Sequence, residues 1–293
     1  MWTISMLKQN AYNSLNEYYS KAIIVCLVAS VGTLLLLGCF RFYVLPFPTS
    51  AMLQLKPVVL TTFGPDDINA EIKEFAYKLI ILLCKLVIFM VLSLVTTVFY
   101  ANPTEVGTCS FFRKARNGEV KVSEVFHAFH QKRYGAVVRS MLGRTLYIYI
   151  ACICFCFSRF GSLGIVFLFI GILEVYGIYN RTLVPFILSE NPCLSSKRVK
   201  EISKSTMDGE KMPFFLLQLS FIGWFLLSVI TLGVGFIFSI PYYQATKAEF
   251  YACMRAKMIA QGITTEEELT GNSMLGNQQE NTMINVETMS VSE

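Results

Sequence analysis

Between Met212 and Thr246 the chain runs for 35 residues without one charged side chain. As a single straight helix that stretch would be about 52 Å long, against a bilayer hydrocarbon core of about 30 Å. The string Thr231-Leu232-Gly233-Val234-Gly235 lies near its middle, and two glycines in five residues favour a tight turn. The stretch therefore reads as two membrane spans, 212–231 and 234–257, with Pro241 inside the second. Few soluble architectures can hide such a run. The apolar set makes up 54% of the chain and charged residues only 15%, where a soluble domain carries about 25%. The mean hydropathy is +0.52. This composition excludes a soluble enzyme, a disordered chain and a disulfide scaffold, and leaves a polytopic membrane protein.

Four further spans follow from the same reasoning. Residues 21–40 hold one: Lys21 is followed by 19 uncharged residues. Residues 78–101 hold a second, interrupted by Lys85 and stopped at Asn102-Pro103, because a residue before proline avoids the α region. Residues 136–158 hold a third, with Arg139 and Arg144 reaching back toward water. Residues 161–188 hold a fourth, closed by Asn191-Pro192. The segment 41–70 contains Pro46, Pro48, Pro57, Gly64 and Pro65 and reads as a loop. The expected fold class is thus all-α: a polytopic membrane helical bundle of about six transmembrane helices, with residues 1–260 as a single transmembrane domain. Residues 261–293 have no Lys or Arg and no aromatic side chain, and read as an acidic, disordered cytosolic tail.

Charge orients the bundle. The net charge is +5, and in a membrane protein this reports loop charge rather than affinity for nucleic acid. With both termini inside, 18 of the 25 Lys and Arg fall on the inner side and five on the outer. The positive-inside rule therefore favours an N-in, C-in topology. On the inner side, Val122, Val125, Phe126 and Phe129 recur at helical spacing among polar residues, and predict an interfacial amphipathic helix over 119–135 anchored by Phe126 and Phe129. The basic segments 105–140 and 195–211 point to anionic lipids on the inner face, or to a membrane or cytosolic protein partner.

Catalytic constellations are missing from the sequence. Both histidines, His127 and His130, lie outside the spans, so no serine nucleophile within a span has a base beside it. No His-Glu-x-x-His string and no phosphate-binding glycine loop occurs, and Asp66, Asp67 and Asp208 all lie in loops. No catalytic residue, cofactor or metal ligand is expected. The polar residues inside the spans are the remaining signal, since a charge at mid-bilayer costs about 2.5–3.5 kcal/mol on insertion scales. Lys85, Glu174, Asn180 and Arg181 form the candidate intramembrane polar site. Glu174 lies farthest from either interface, and Arg181, seven residues on, shares its helix face. Gly223-Trp224 reads as a close helix approach with the indole filling the gap.

Several strings occur in a distinctive order. Asn102-Pro103 is followed by Val106-Gly107, Phe111-Phe112 and Ala115-Arg116. Pro185-Phe186-Ile187-Leu188 precedes Asn191-Pro192, and Met207-x-Gly209-x-Lys211 leads into Leu219-Ser220-Phe221-Ile222-Gly223-Trp224. Thr231-x-Gly233-x-Gly235 and Pro241-Tyr242 complete the series. These resemble the domain-of-unknown-function 975 family of bacterial integral membrane proteins, over about residues 7–257. The resemblance implies a multi-pass protein of the bacterial cytoplasmic membrane and implies no activity. Two function classes remain: a non-catalytic membrane module that binds a partner or lipid, with envelope stress or immunity as its setting, and a small permease or channel built around Glu174. No internal repeat is visible between 21–140 and 145–257, which favours the first.

Overall fold

The computed structural model describes residues 2–39, 65–118, 121–130, 134–158 and 164–271, and every regular element among them is helical. The chain divides into two units, Met1–Ala29 with Asn102–Glu293, and Ser30–Ala101. Five helical stretches are long and apolar enough to cross a membrane: Ile4–Leu35, Tyr77–Ala115, Tyr134–Phe155, Gly164–Glu190 and Lys211–Ile230.

The smaller unit contains the end of α1 (Ile4–Cys39), then α2 (Pro65–Thr96) and a π-helical turn, Thr97–Ala101. α2 begins at Pro65, earlier than the expected resumption near Ala70. Its side chains from Tyr77 onward are apolar and largely outward-facing; Ile80, Val87 and Val91 are each more than half exposed. Gly32 permits the two helices to touch, because a Cβ there would fall 2.4 Å from the Tyr100 ring. The loop expected over 41–70 lies mostly outside the described residues.

The larger unit has a core unlike a lipid-immersed bundle. Its first contributor is the polar start of α1, where Leu7, Ala11, Leu15, Tyr18, Ala22 and Val25 are buried in one stripe at steps of three and four. α3 (Asn102–Ala115) lies almost wholly inside, with Val106, Cys109, Phe111 and Phe112 buried. Around them pack α7 (Val184–Glu190), α8 (Ser196–Thr206), the start of α9 (Lys211–Leu219), the second half of α11 (Phe236–Ala260) and α12 (Glu266–Thr270). Local chemistry delimits these pieces. Pro185 stands at the start of α7, where a missing N–H costs nothing, and Asn191-Pro192 ends it. Ser195 caps α8 by accepting from Arg198 N at 3.2 Å.

Two hairpins leave this core. α5 (Tyr134–Phe157) and α6 (Gly164–Tyr179) form one, packed closely where Gly171 meets Cys154 and Phe155 and where Gly177 meets the Tyr147 ring. α10 (Ile222–Ile230) and the first half of α11 form the other, joined by the expected turn. Leu232 has φ 53° and Gly233 φ 94° in that turn, and a Cβ on Gly235 would strike Ser228 Cα at 2.7 Å. Polar ties hold the helices together. Tyr179 Oη donates to Gln218 Oε1 at 2.7 Å, and Gln218 Nε2 donates to Tyr243 Oη at 3.0 Å, joining α6, α9 and α11.

Four sequence expectations are corrected here. The sixth span, 234–257, does not meet the length-and-hydropathy criterion, because Lys247, Glu249, Arg255 and Lys257 occupy its second half and that half is core. The amphipathic helix over 119–135 is a 3₁₀ turn, Val122–Phe126, followed by one α-turn, α4 (His127–His130). Val125 and Ala128 are buried, and Gly107 allows the Val125 backbone to lie directly on α3. Trp224 is half exposed and a Cβ on Gly223 would meet nothing, so the pair is not a close helix approach. Finally, residues 262–271 are folded: Thr265 caps α12, Gly271 ends it at φ 76°, and Leu269 is fully buried.

α12 is held by a bidentate pair. Arg198 Nε donates to Glu268 Oε1 at 2.7 Å and Nη2 to Oε2 at 2.9 Å, while Thr264 Oγ1 adds a third bond at 2.7 Å. These hydrogen bonds, Arg198's first, hold the Glu268 carboxyl below its usual range. A depressed carboxylate stabilises above its unfolded value and loses that contribution as pH falls through the folded one. Hydrogen exchange over 262–271, corrected for intrinsic rates, should be unchanged between pH 8 and 6 and should accelerate below about pH 4.5, near the usual carboxylate value. Glu268→Gln should flatten that dependence.

Candidate functional site

The sequence pointed to four polar residues, and the structure brings three of them to one end of α6. Glu174 is partly buried, and lies on the side of α6 that carries Gly171 and Gly177, both turned to α5. Its Oε2 has no hydrogen-bond partner among the described residues. Arg181 does not pair with it: the guanidinium lies 3.8 Å from the Tyr147 ring centroid, and Nη1 donates to Gly177 O at 2.8 Å. Asn180 accepts from Ser203 Oγ through its backbone carbonyl at 2.7 Å, and its buried Oδ1 has no hydrogen-bond partner among the described residues. Lys85 is half-buried on α2, in the smaller unit. Phe126 and Phe129 keep company at the surface, with ring centroids 6.3 Å apart, and Phe129 stacks on Tyr134 at 5.6 Å.

A second polar assembly was not foreseen. It forms where α3, α7, α11 and α12 meet. Glu190 ends α7 with its side chain 4% exposed, and Arg255 Nε donates to both of its carboxylate oxygens at 3.2 Å. Arg113 approaches the same carboxylate at 3.9 Å and donates through Nη2 to Ser189 O at 3.2 Å. Arg255 Nη2 also donates to Glu266 Oε1 at 3.1 Å. Alongside, Arg116 Nε donates to Glu249 Oε1 at 2.9 Å, with the Glu249 side chain 6% exposed. Each buried carboxylate is thus matched to a guanidinium, whose planar fork suits it.

These residues line two adjoining clefts. One, of about 290 Å³, lies among Arg113, Glu190, Tyr251 and Arg255. The other, of about 370 Å³, lies among Asn10, Asn13, Ser14 and Glu249. Arg116 and Asn117 belong to both, so the two make one polar groove. Its walls offer guanidinium and amide donors beside carboxylate acceptors, a mixture suited to a polar, hydrogen-bonding surface. Arg113 and Arg116 were visible in the sequence as part of a basic segment. Their acceptors, Glu190 and Glu249, lie 76 or more residues away, and no local spacing announces them.

A third concavity, about 640 Å³, is lined mainly by Trp2, Met6, Met212, Pro213, Leu216 and Met254. At its polar edge Glu210 accepts from Trp2 Nε1 and from Lys257 Nζ, each at 3.0 Å.

No curated protein and no solved structure matches the chain. One family model does, over residues 3–258, a range that includes Arg116, Glu190, Glu249, Arg255 and Glu174. That match covers nearly the whole sequence, and the chain accordingly belongs to the family described as protein of unknown function (DUF975).

Proposed function

We propose that this chain is a multi-pass protein of the bacterial cytoplasmic membrane, N-in and C-in, that acts without catalysis by presenting a polar groove on its inner face to a partner protein. The observation that carries the reading is the groove shared through Arg116 and Asn117, built on a folded core rather than on the apolar helices. Buried ion pairs along its walls give the groove a rigid register, as desolvated charge pairs do at specific interfaces. The exposed apolar faces of α2, α5, α6 and α10 would meet lipid, since contiguous apolar surface of that extent is not left to water.

A photo-crosslinking amino acid at Asn117 tests the groove. In intact cells it should give a discrete protein adduct, and Asn13→Trp in the same chain, which fills the groove from an exposed position outside the ion pairs, should abolish it while leaving the amount of folded protein unchanged. An adduct of the same intensity with Asn13→Trp, or adducts to lipid alone, would sink the reading.

A second reading, a small permease or channel, is favoured by one observation: Glu174 Oε2 is buried on the apolar α6 with no hydrogen-bond partner among the described residues. Ionisable groups in such places serve as proton or ion sites. In proteoliposomes a Glu174-dependent pathway would dissipate an imposed pH gradient, and Glu174→Gln would stop this without lowering thermal stability. Identical gradients with both proteins would leave Glu174 as helix packing only.

A further inference from the structure

The outward face of α8 carries Lys197, Lys200 and Lys204, while Val199, Ile202, Ser203 and Thr206 turn into the core. Lys200 reaches across to α5. A Cβ built on Gly143 would lie 3.0 Å from Lys200 Nζ, so the ammonium group occupies the notch that the missing side chain leaves. Arg139 stands one helical turn before Gly143 on the same face of α5, and is exposed. Among the described residues, Arg139, Lys197, Lys200 and Lys204 have no carboxylate partner, although Glu201 is exposed on the same helix face. That sets them apart from Arg113, Lys114, Arg116, Arg144, Arg198, Lys211, Arg255 and Lys257, each of which is paired.

Beyond Gly143, α5 changes character. Leu146, Ile150 and Ile153 are each more than 40% exposed. The chain therefore sets unneutralised cations one turn from an outward apolar stripe. Tyr147 under Arg181 and Tyr176 under Lys211 stand at the same transition, as aromatic and cationic side chains do at a bilayer boundary. A ligand matching both parts needs an anionic head and an apolar body.

We propose that Arg139, Lys200 and Lys204 form a binding site for an anionic phospholipid, with its phosphate at the Gly143 notch and its acyl chains along Leu146, Ile150 and Ile153. This rests on the membrane reading above and gives it a specific lipid contact. Lys200 is the central cation, because the notch confines it while Arg139 and Lys204 approach from either side.

The test uses full-length protein purified in detergent and examined by native mass spectrometry with phosphatidylglycerol or phosphatidylcholine of identical acyl chains. Phosphatidylglycerol should be retained preferentially, and raised salt should weaken the preference. The Lys200→Gln/Lys204→Gln double variant should lose it on the order of tenfold or more. Lys200→Arg should keep it, and Gly143→Leu, which fills the notch, should lose it. Inorganic phosphate at millimolar concentration should not compete, since it lacks the apolar part; full competition would reassign the site to free phosphate and overturn the lipid proposal. Equal retention of both lipids by the wild type, or an undiminished preference in a double variant of unchanged melting temperature, would overturn it as well. If the double variant does not fold, Arg139→Gln alone is to be measured against the same outcomes. Protein released from membranes by alkaline carbonate would instead overturn the membrane reading itself.

Discussion

Gly107→Ala is expected to be among the most destabilising single substitutions in this chain. A Cβ at residue 107 would sit 2.0 Å from the Val125 carbonyl oxygen and 2.5 Å from its carbon. Both are backbone atoms, so no rotamer change relieves the overlap. Val125 is fully buried, and its turn would have to lift off α3 and open the core beneath it. Overpacking typically costs about 1–3 kcal/mol and occasionally more. A value at or above the top of that range is expected, which corresponds to a fall in melting temperature of about 6–12 °C for a domain of this size. Gly135→Ala provides the control. A Cβ at residue 135 meets nothing within 4 Å, and the residue stands in the first turn of α5. It should be neutral or slightly stabilising. Thermal melts of the two variants in the same detergent decide the matter, and equal melting temperatures would show that the Val125 turn does not press on α3.

Glu190→Ala should have a comparable effect by a different route. It removes a carboxylate whose side chain is 4% exposed and leaves Arg113 and Arg255 facing each other without it. Taking one partner from a buried pair costs about 3–5 kcal/mol, because the remaining charge stays desolvated. Both arginine side chains here are 27% exposed, so roughly 3 kcal/mol is the better expectation. Glu190→Gln keeps one acceptor oxygen and should lose about half as much. The Arg255→Ala/Glu190→Ala double variant should be less destabilised than the sum of its parts, and an additive result would remove the coupling. α12 should loosen along with the pair, since Arg255 also holds Glu266.

Much of this fold was legible because helices announce themselves through apolar length and punctuation. The turn at 231–235 was readable from residue type, but Asn102-Pro103 did not stop the helix as expected: the helical stretch runs on from Tyr77 to Ala115, through a π-helical turn at Thr97–Ala101. Other features carried a signal that hydropathy obscured. Leu7, Ala11, Leu15, Tyr18, Ala22 and Val25 repeat at helical spacing, yet the segment before Lys21 reads as a polar lead when only its charge is weighed. The second half of α11 shows the opposite failure. Its Tyr, Phe, Met and Ala residues extend an apolar count, while Lys247, Glu249, Arg255 and Lys257 mark it as a helix buried in protein. The 3₁₀ turn at Val122–Phe126 packs on Gly107 through the buried Val125, eighteen residues downstream, and periodicity alone described it as one helix.

The candidate site divides in the same way. Glu174 and Arg181 were noticeable because a charge inside an apolar run is rare, but a shared helix face did not make them partners. Tyr147, on the neighbouring helix, took the guanidinium instead. The groove was invisible because its pairs join distant parts of the chain: Arg116 meets Glu249 across 133 positions, and Arg255 meets Glu190 across 65.

By itself the sequence determined the helical class, five of the apolar helical stretches and the family, because these depend on hydropathy and ordered motifs within a few tens of residues. Only the tertiary structure decided which polar residues are buried and with what partner. The physical reason is that desolvating a carboxylate is tolerable only where a cation reaches it through space, and that reach is set by helix packing rather than by sequence spacing. Glu190 and Glu174 are both carboxylates on apolar helices; packing surrounds one with two guanidinium groups and leaves an oxygen of the other without a hydrogen-bond partner among the described residues.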